Sequence, residues 1–478
     1  MKSTPRTLVW FRGKDLRLAD HVPLARGLEE GEVIPVFVLD PFFFDPLRAQ
    51  DLPHRMQFLL ESLEELASRI TALGSTLVCL PGKSVEVIPR VARAWNVSRV
   101  LAYRWTEPLG RVRDRRVASR LHVPLELLEG ETLHPPGTLR TGTGSPYSVF
   151  TPFSRALRRD ASIERPLPVP TALPPVPSMA LAQHCPPPSL RDLGIARNSR
   201  LQAGGEIAAR KRLDHFLSHS LARYGSGRDH LDQDATSRLS ADIKFGTLSV
   251  RDIWWAADDR KQEAGTESVE SFLTELIWRD FAYSSLWDRP SLLKFPFRPS
   301  WNKFPWRDED ADWKAWTEGR TGYPVVDAAA HELLETGFVH GRARMITASF
   351  LCKHLLIDYR RGEEHFMRYL TDGDWAQNNS GWQWSAGSGC DAQPYFRVFN
   401  PVAQGEKFDP DGSYVRRWLP ALAKLPARYV HQPWSAPPSV LQNAGVELGQ
   451  SYPRPIVDHA FARQRFLATA KAHLKAVS

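Results

Sequence analysis

Little in this sequence announces its chemistry directly. The four cysteines (Cys79, Cys185, Cys352 and Cys390) lie far apart and form no CxxC pair. That spacing argues against a zinc site or a disulfide framework and leaves free, buried thiols as the expectation. No metal is expected. No apolar run approaches the roughly 18 residues that a membrane span needs. The opening MKSTPRTLVWFRG lacks the apolar core of a signal peptide, so a cytoplasmic protein is expected. A GxGxxG fingerprint is absent from the N-terminal region. PGKS at 81–84 resembles the end of a phosphate-binding loop, but Leu77 stands where its first glycine belongs, which argues against nucleotide hydrolysis.

What is present is uneven. A chain of 478 residues has length for two or three domains. Its 62 Lys and Arg exceed 54 Asp and Glu, an excess of 8 that suits a polyanionic partner such as DNA. Of 16 tryptophans, only Trp10, Trp95 and Trp105 precede residue 250, so the two halves are built for different work.

In the first 130 residues, apolar runs at 7–11, 32–40, 75–82, 98–104 and 123–130 read as strands. Helical patterns lie between them, clearest at 54–70 and 84–95. This alternation predicts an α/β domain over 1–135, a Rossmann-like parallel sheet with helices on both faces. Residues 136–204 read as an extended connector, because nine prolines fall between Arg165 and Leu190. From 205 to 478 helical periodicity dominates and predicts an all-α domain.

Three segments suggest chemistry. In ESFLTELIWRDFAYSSLW (270–287), helical spacing puts Glu275, Trp278 and Arg279 on one face, read equally well as a surface ion pair over a core indole. In the helix expected within 336–362, Arg342 and Met345 share a face, while Arg344 points to the opposite side. Two solvated arginines are the plainer reading of that pair. DATSRLSADIKFG (234–246) gathers hydroxyls, Arg238 and free backbone N–H groups that suit a diphosphate, or serve as plain helix caps.

These pieces, in order, resemble the photolyase/cryptochrome family, most closely its class I photolyases for cyclobutane pyrimidine dimers (CPDs). The resemblance runs through LVWFRGKDLRLADH (8–21), YSVFTPFSRA (147–156), TSRLS (236–240), ELIWRDF (275–281) and FPWRDEDADWKAWTEGRTGYPVVDAA (304–329). It continues through RMITASFL (344–351), DGDWAQNNSGWQW (372–384) and PYFRVFNPVAQGEKFDPDG (394–412).

The resemblance implies one FAD per chain, active as the reduced anion. Tyr224 and Thr236, Ser237, Arg238, Leu239 and Ser240 match the residues around its diphosphate. Phe272, Arg279, Arg344, Asp372, Gly373, Asp374 and Asn378 match those around the rest. Asn378 corresponds to the residue beside flavin N5, where an amide cannot ionise and so does not repel a reduced anion. Arg344 and Asp372 correspond to an ion pair beside the ring.

Trp278 and Trp384 match aromatic walls for a flipped dimer, with Glu275 bonding its base edge and Met345 packing on it. Arg228, Trp278, Gly341, Arg342, Arg397 and Gln404 match DNA-contacting positions. The implied activity is a light-driven carbon–carbon lyase that repairs dimers in DNA by electron transfer from excited reduced FAD. Extruding a damaged base costs less than extruding a paired one. A monomer is expected. The competing reading is a cryptochrome-like blue-light photoreceptor, which the ending at Ser478 without a long tail disfavours.

Two departures stand out. The family relay of three tryptophans is matched by Trp382, Tyr359 and Trp306, so its middle member is a phenol that must shed a proton when oxidised. Photoreduction is therefore expected to be slower, or rerouted through another aromatic. Gly341 and Phe338 stand where an asparagine and a tryptophan are usual. An antenna chromophore is also implied. TEPLGRVRD (106–114) and VLDPFFF (38–44) resemble binders of deazaflavin or FMN more than binders of methenyltetrahydrofolate, whose contact positions fall near Glu107 and Lys294. An empty antenna site is the remaining option.

Overall fold

The computed structural model describes residues 5–392 and 394–477. Five parallel strands, β1 (Arg6–Phe11), β2 (Glu32–Leu39), β3 (Val78–Pro81), β4 (Arg99–Tyr103) and β5 (Leu125–Leu128), form one sheet in the order β3-β2-β1-β4-β5. Period-two alternation sends Val9, Phe11, Phe37 and Cys79 to one face and Leu8, Trp10, Val36 and Leu80 to the other. The helix Pro53–Ala72 covers the first face with Met56, Leu59 and Leu63. The helix Ser84–Ala94 covers the second with Ile88 and Val91. A sheet clad on both faces is the arrangement that apolar parallel strands require. Gly27 sets the fit of the helix Val22–Glu30, since a Cβ there would lie 2.8 Å from Val33.

The chain divides into two compact units. One comprises the residues up to Gly225 together with Ser237–Pro290; the other comprises Ser226–Thr236 together with Ser291 onward. The first unit holds the sheet and the helices Phe150–Asp160, Glu206–His219 and Thr266–Asp288. Its proline-rich stretch is extended apart from the helical turn Ser178–Leu181, and hydrogen-bonds along the unit, Leu173 N to Leu73 O at 2.8 Å and Cys185 N to Cys79 O at 2.9 Å. Cys185 is exposed and Cys390 half-buried, whereas Cys79 and Cys352 are buried. The expectation of four buried thiols fails at those two positions because neither lies in an apolar element.

The second unit is helical, with Val326, Leu333, Phe350, Leu351, Trp382 and Tyr414 in its core. Where the sequence reads as helical over 336–362, the helix Gly341–Ser349 passes into a π-helical turn, Phe350–His354, and stops. Leu356 has φ 57°, and Asp358 caps the next helix, Tyr359–Tyr369. The wide turn directs Lys353 inward, where its ammonium donates to the Arg397 carbonyl at 2.9 Å. Burial lowers that ammonium to a pKa of about 8. Such π turns often mark functional positions.

Candidate functional site

In the first unit, the helix Thr266–Asp288 carries Glu275, Trp278 and Arg279 as half-buried residues between buried Leu276, Ile277, Asp280 and Phe281. The Trp278 indole lies flat on the Phe150 ring, with centroids 3.6 Å apart and planes within 6°. Phe150 opens the helix Phe150–Asp160, so the indole has a rigid backing. Nothing in the motif YSVFTPFSRA marks Phe150 for this role. Arg279 Nη1 donates to the Glu131 carbonyl at 2.7 Å, and its guanidinium lies 4.3 Å from the Tyr283 ring centroid. Asp280, fully buried, accepts from the His134 N–H at 3.1 Å, and burial pushes its carboxyl up to about 7.

Phe272 is held between Phe216 and Tyr224, at 4.7 and 5.3 Å. Ser237 Oγ accepts from Leu239 N at 3.5 Å, and Ser240 opens the helix Ser240–Phe245. Between them Arg238 holds φ 51°, a left-handed conformation that costs a non-glycine residue energy and is found disproportionately at functional sites. Thr236 belongs to the second unit.

In the second unit, His340 caps the helix Gly341–Ser349 through Nδ1, and the two arginines of that helix part company as their spacing predicts. Arg344 Nη2 donates to Asp372 Oδ2 at 2.8 Å and Nε to the Val339 carbonyl at 2.7 Å. Its guanidinium also lies 5.7 Å from the Phe338 ring. Asp372 Oδ1 is buried with no hydrogen-bond partner among the described residues. A buried acceptor in that state is costly and calls for a donor. After Gly373, Asp374 caps the helix Trp375–Ala386, its Oδ1 accepting from Ala376 N and Gln377 N at 3.0 Å. On that helix Asn378 Nδ2 donates to the Glu363 carbonyl at 2.9 Å, which turns its amide oxygen away as a remaining acceptor. Asn379 holds the Glu363 carboxyl at 3.0 Å, and burial raises that group to about 7. Met345 and Trp384 are half-buried.

Trp382 is buried against Gly362, where any Cβ would collide with the indole. Tyr359 is buried too, and its phenol oxygen has no hydrogen-bond partner among the described residues. Burial pushes that phenol well above its ordinary pKa. Trp306 packs on Phe304 at 4.4 Å. The edge of Trp382 also meets Trp316 at 6.0 Å, and Trp316 stacks on Trp313 at 5.5 Å and 24°. Half-buried Trp313 lies under the Arg361 guanidinium at 4.6 Å. These two indoles went unassigned in the sequence, although the i, i+3 spacing of DADWKAW places both on one helix face.

Arg342, Arg397 and Gln404, three residues from separate segments, line a single pocket of about 320 Å³, with Asn400, Lys407 and Asp229. Gly341 is exposed at the start of the same helix, and Arg228 is half-buried beside Asp229. Asn400 caps the helix Pro401–Phe408, which delivers Gln404 and Lys407. Two charged lining residues were missed. Lys407 stands three residues from Gln404 and so shares its helix face, a signal the sequence carries, whereas Asp229 has no such spacing and only the fold brings it to Arg342.

Comparison with known proteins covers most of the chain. Residues 7–175 match the family model described as DNA photolyase, and residues 272–472 match the FAD binding domain of DNA photolyase. The deoxyribodipyrimidine photo-lyase of Agrobacterium fabrum is 39% identical over 484 residues, 99% of this chain and 98% of that protein. A bacterial class III photolyase from Agrobacterium tumefaciens superposes with TM-score 0.92 at 37% identity, covering 99% of each chain. The cryptochrome of Synechocystis sp. PCC6803 follows at TM-score 0.88 and 32% identity, covering 98% of this chain and 100% of that one. A doubly clad sheet, a helical unit that pairs Arg344 with Asp372, and similarity from end to end lead to one conclusion: this chain belongs to the DNA photolyase family.

Proposed function

We propose that the protein uses light and a reduced FAD to split cyclobutane pyrimidine dimers in DNA. The observation that carries the reading is the division of labour on one short helix. Gly341–Ser349 sends Arg344 to Asp372 and Arg342 into a basic pocket, so one element serves both a cofactor and a polyanion.

The residues fit a flavin. Asp372 Oδ1 lacks a donor, and a flavin ring offers N–H groups. Arg344 supplies a fixed positive charge that favours a reduced, anionic ring. Asn378 presents an amide oxygen that accepts a proton-bearing nitrogen without adding negative charge. Tyr224, Thr236, Ser237, Arg238, Leu239 and Ser240 serve the diphosphate, and Phe272, Arg279, Gly373 and Asp374 complete the binding set. Bound reduced FAD supplies the excited-state electron that opens the dimer ring and is then returned.

The chain's own residues do the rest. On the family resemblance, Trp278, backed by Phe150, and Trp384 serve as aromatic contacts of the extruded dimer, Glu275 as the partner of its base edge and Met345 as an apolar contact. Arg342, Arg397 and Gln404, with Arg228 and Gly341 nearby, hold the DNA strand. Each neutralised phosphate should steepen the fall of log K with log salt by roughly 0.9.

A deazaflavin or FMN antenna is proposed ahead of a folate. TEPLGRVRD follows β4 and VLDPFFF runs off the end of β2, at the carboxyl ends of strands where open α/β sheets bind ligands. Glu107, which falls near a folate-contact position, is paired with Lys14 at 2.9 Å. Absorbance of the chromophore extracted from purified protein identifies it.

The test of the main reading is the colour of the purified protein, followed by illumination with ultraviolet-damaged oligonucleotide. Bound flavin and restored thymine absorbance are expected. A colourless protein that cannot be reconstituted with flavin overturns the reading. A flavin-bearing protein without repair moves it to the photoreceptor, the reading favoured by the cryptochrome similarity and by Gly341.

A further inference from the structure

We infer that Asp229 occupies Arg342 in the place a DNA phosphate takes, and so limits how tightly the free protein grips DNA. The inference rests on the proposed DNA-binding role of this pocket and adds a residue that works against it.

Arg342, Arg397 and Lys407 bring three positive charges to the pocket, and Asp229 is the one carboxylate among its lining residues. Asp229 Oδ2 lies 2.6 Å from Arg342 Nη2. The exposures differ in a telling way: the arginine side chain is 16% exposed and the aspartate 41%. The guanidinium is backed by the Phe408 ring, 4.4 Å from its centroid, with its Nε buried and without a hydrogen-bond partner among the described residues. The carboxylate therefore covers the water-facing side. It is held there by backbone, since His230 N bonds Gly227 O at 2.9 Å and Leu231 N bonds Phe408 O at 2.7 Å.

Carboxylate and phosphate present the same paired oxygens to a guanidinium fork. A phosphate entering this pocket must therefore displace Asp229 or share Arg342 with it. In either case it meets a negative charge that offsets one of the three cations. A partly exposed ion pair is weak enough to exchange, so Asp229 acts as a stand-in that a phosphate replaces rather than as a lock.

The test measures binding of the full chain to an undamaged duplex and to a dimer-containing duplex across a salt series, by fluorescence anisotropy. Asp229→Asn should tighten binding about three- to tenfold at low salt, the gain expected when one like charge is removed beside a phosphate. The slope of log K against log salt should steepen by up to about one. Asp229→Glu, which keeps the charge, should bind as wild type. In an Arg342→Gln background, Asp229→Asn should gain much less, because the paired group has gone. Thermal melting of each variant confirms folding. If Asp229→Asn binds no tighter than wild type, or more weakly, the inference is lost while the DNA-binding role stands. If wild type itself binds neither duplex, the role fails first.

Discussion

The edge of the Trp382 indole meets Trp316 at 6.0 Å, and Trp316 continues by stacking to half-buried Trp313. Tyr359 stands at the position that the family resemblance gives to the middle relay member, and among the described residues its buried phenol has no acceptor for the proton that oxidation releases. An oxidised indole needs no such acceptor. Hole transfer from Trp382 should therefore favour Trp316 and Trp313 over Tyr359. Flavin photoreduction followed by transient absorption should slow far more in Trp316→Phe than in Tyr359→Phe. It should speed up in Tyr359→Trp. Equal slowing in the two phenylalanine variants would return Tyr359 to the relay.

Much of this was legible in the sequence, for physical reasons that differ by element. The strands were readable because apolar runs, buried on both faces in β1, β2 and β4, leave a plain pattern, and the partition of Arg342 from Arg344 followed from helix geometry alone. The break after Ser349 was not readable. Nothing in FLCKHLLID stops a helix, and the turn there sets Lys353 on the Arg397 carbonyl, a contact 44 residues away that local spacing does not show. Phe150 under Trp278 and Asp229 on Arg342 were hidden for the same reason, being pairings of distant segments.

Phe150 should matter to the lesion only through Trp278. It is 8% exposed and stacks in parallel with the indole. Phe150→Ala should cost about 3–5 kcal/mol of stability, the range for deleting a buried aromatic. Phe150→Leu should cost less and still loosen the indole. The expected signature in Phe150→Leu is weaker binding of a dimer-containing oligonucleotide with unchanged flavin content. Unaltered lesion affinity there would show that Trp278 needs no backing.

Glu363 predicts a pH dependence. Burial raises its carboxyl from 4.5 to about 7, opposed by the hydrogen bond from Asn379. A carboxyl that is harder to ionise when folded stabilises fully below its unfolded pKa, and that stabilisation is lost as pH rises toward 7. The shift corresponds to roughly 3 kcal/mol as an upper bound. Glu363→Gln keeps an acceptor for Asn379 without the charge. Its melting temperature should match wild type near pH 4.5 and exceed it increasingly up to pH 7, then stay ahead by a constant margin. Parallel melting curves across that range would contradict a buried, proton-binding Glu363.

Gly341 offers a gain-of-function test. It is the first residue of the helix that carries Arg342, it is exposed, and a Cβ built on it meets nothing within 4 Å. A side chain therefore fits without displacing a neighbour, and replacing glycine in a helix gains a few tenths of a kcal/mol. An asparagine here adds a donor and an acceptor beside the basic pocket. One new hydrogen bond of about 1 kcal/mol corresponds to roughly fivefold in affinity. Gly341→Asn should thus tighten binding of a dimer-containing oligonucleotide by about that factor, and undamaged DNA at the same salt shows whether the strand or the lesion takes the new bond. Equal tightening for both would mean that the new amide meets the strand rather than the lesion. No tightening at all would mean that this helix start lies out of reach of DNA, and would leave Arg342 as the contact that the helix provides.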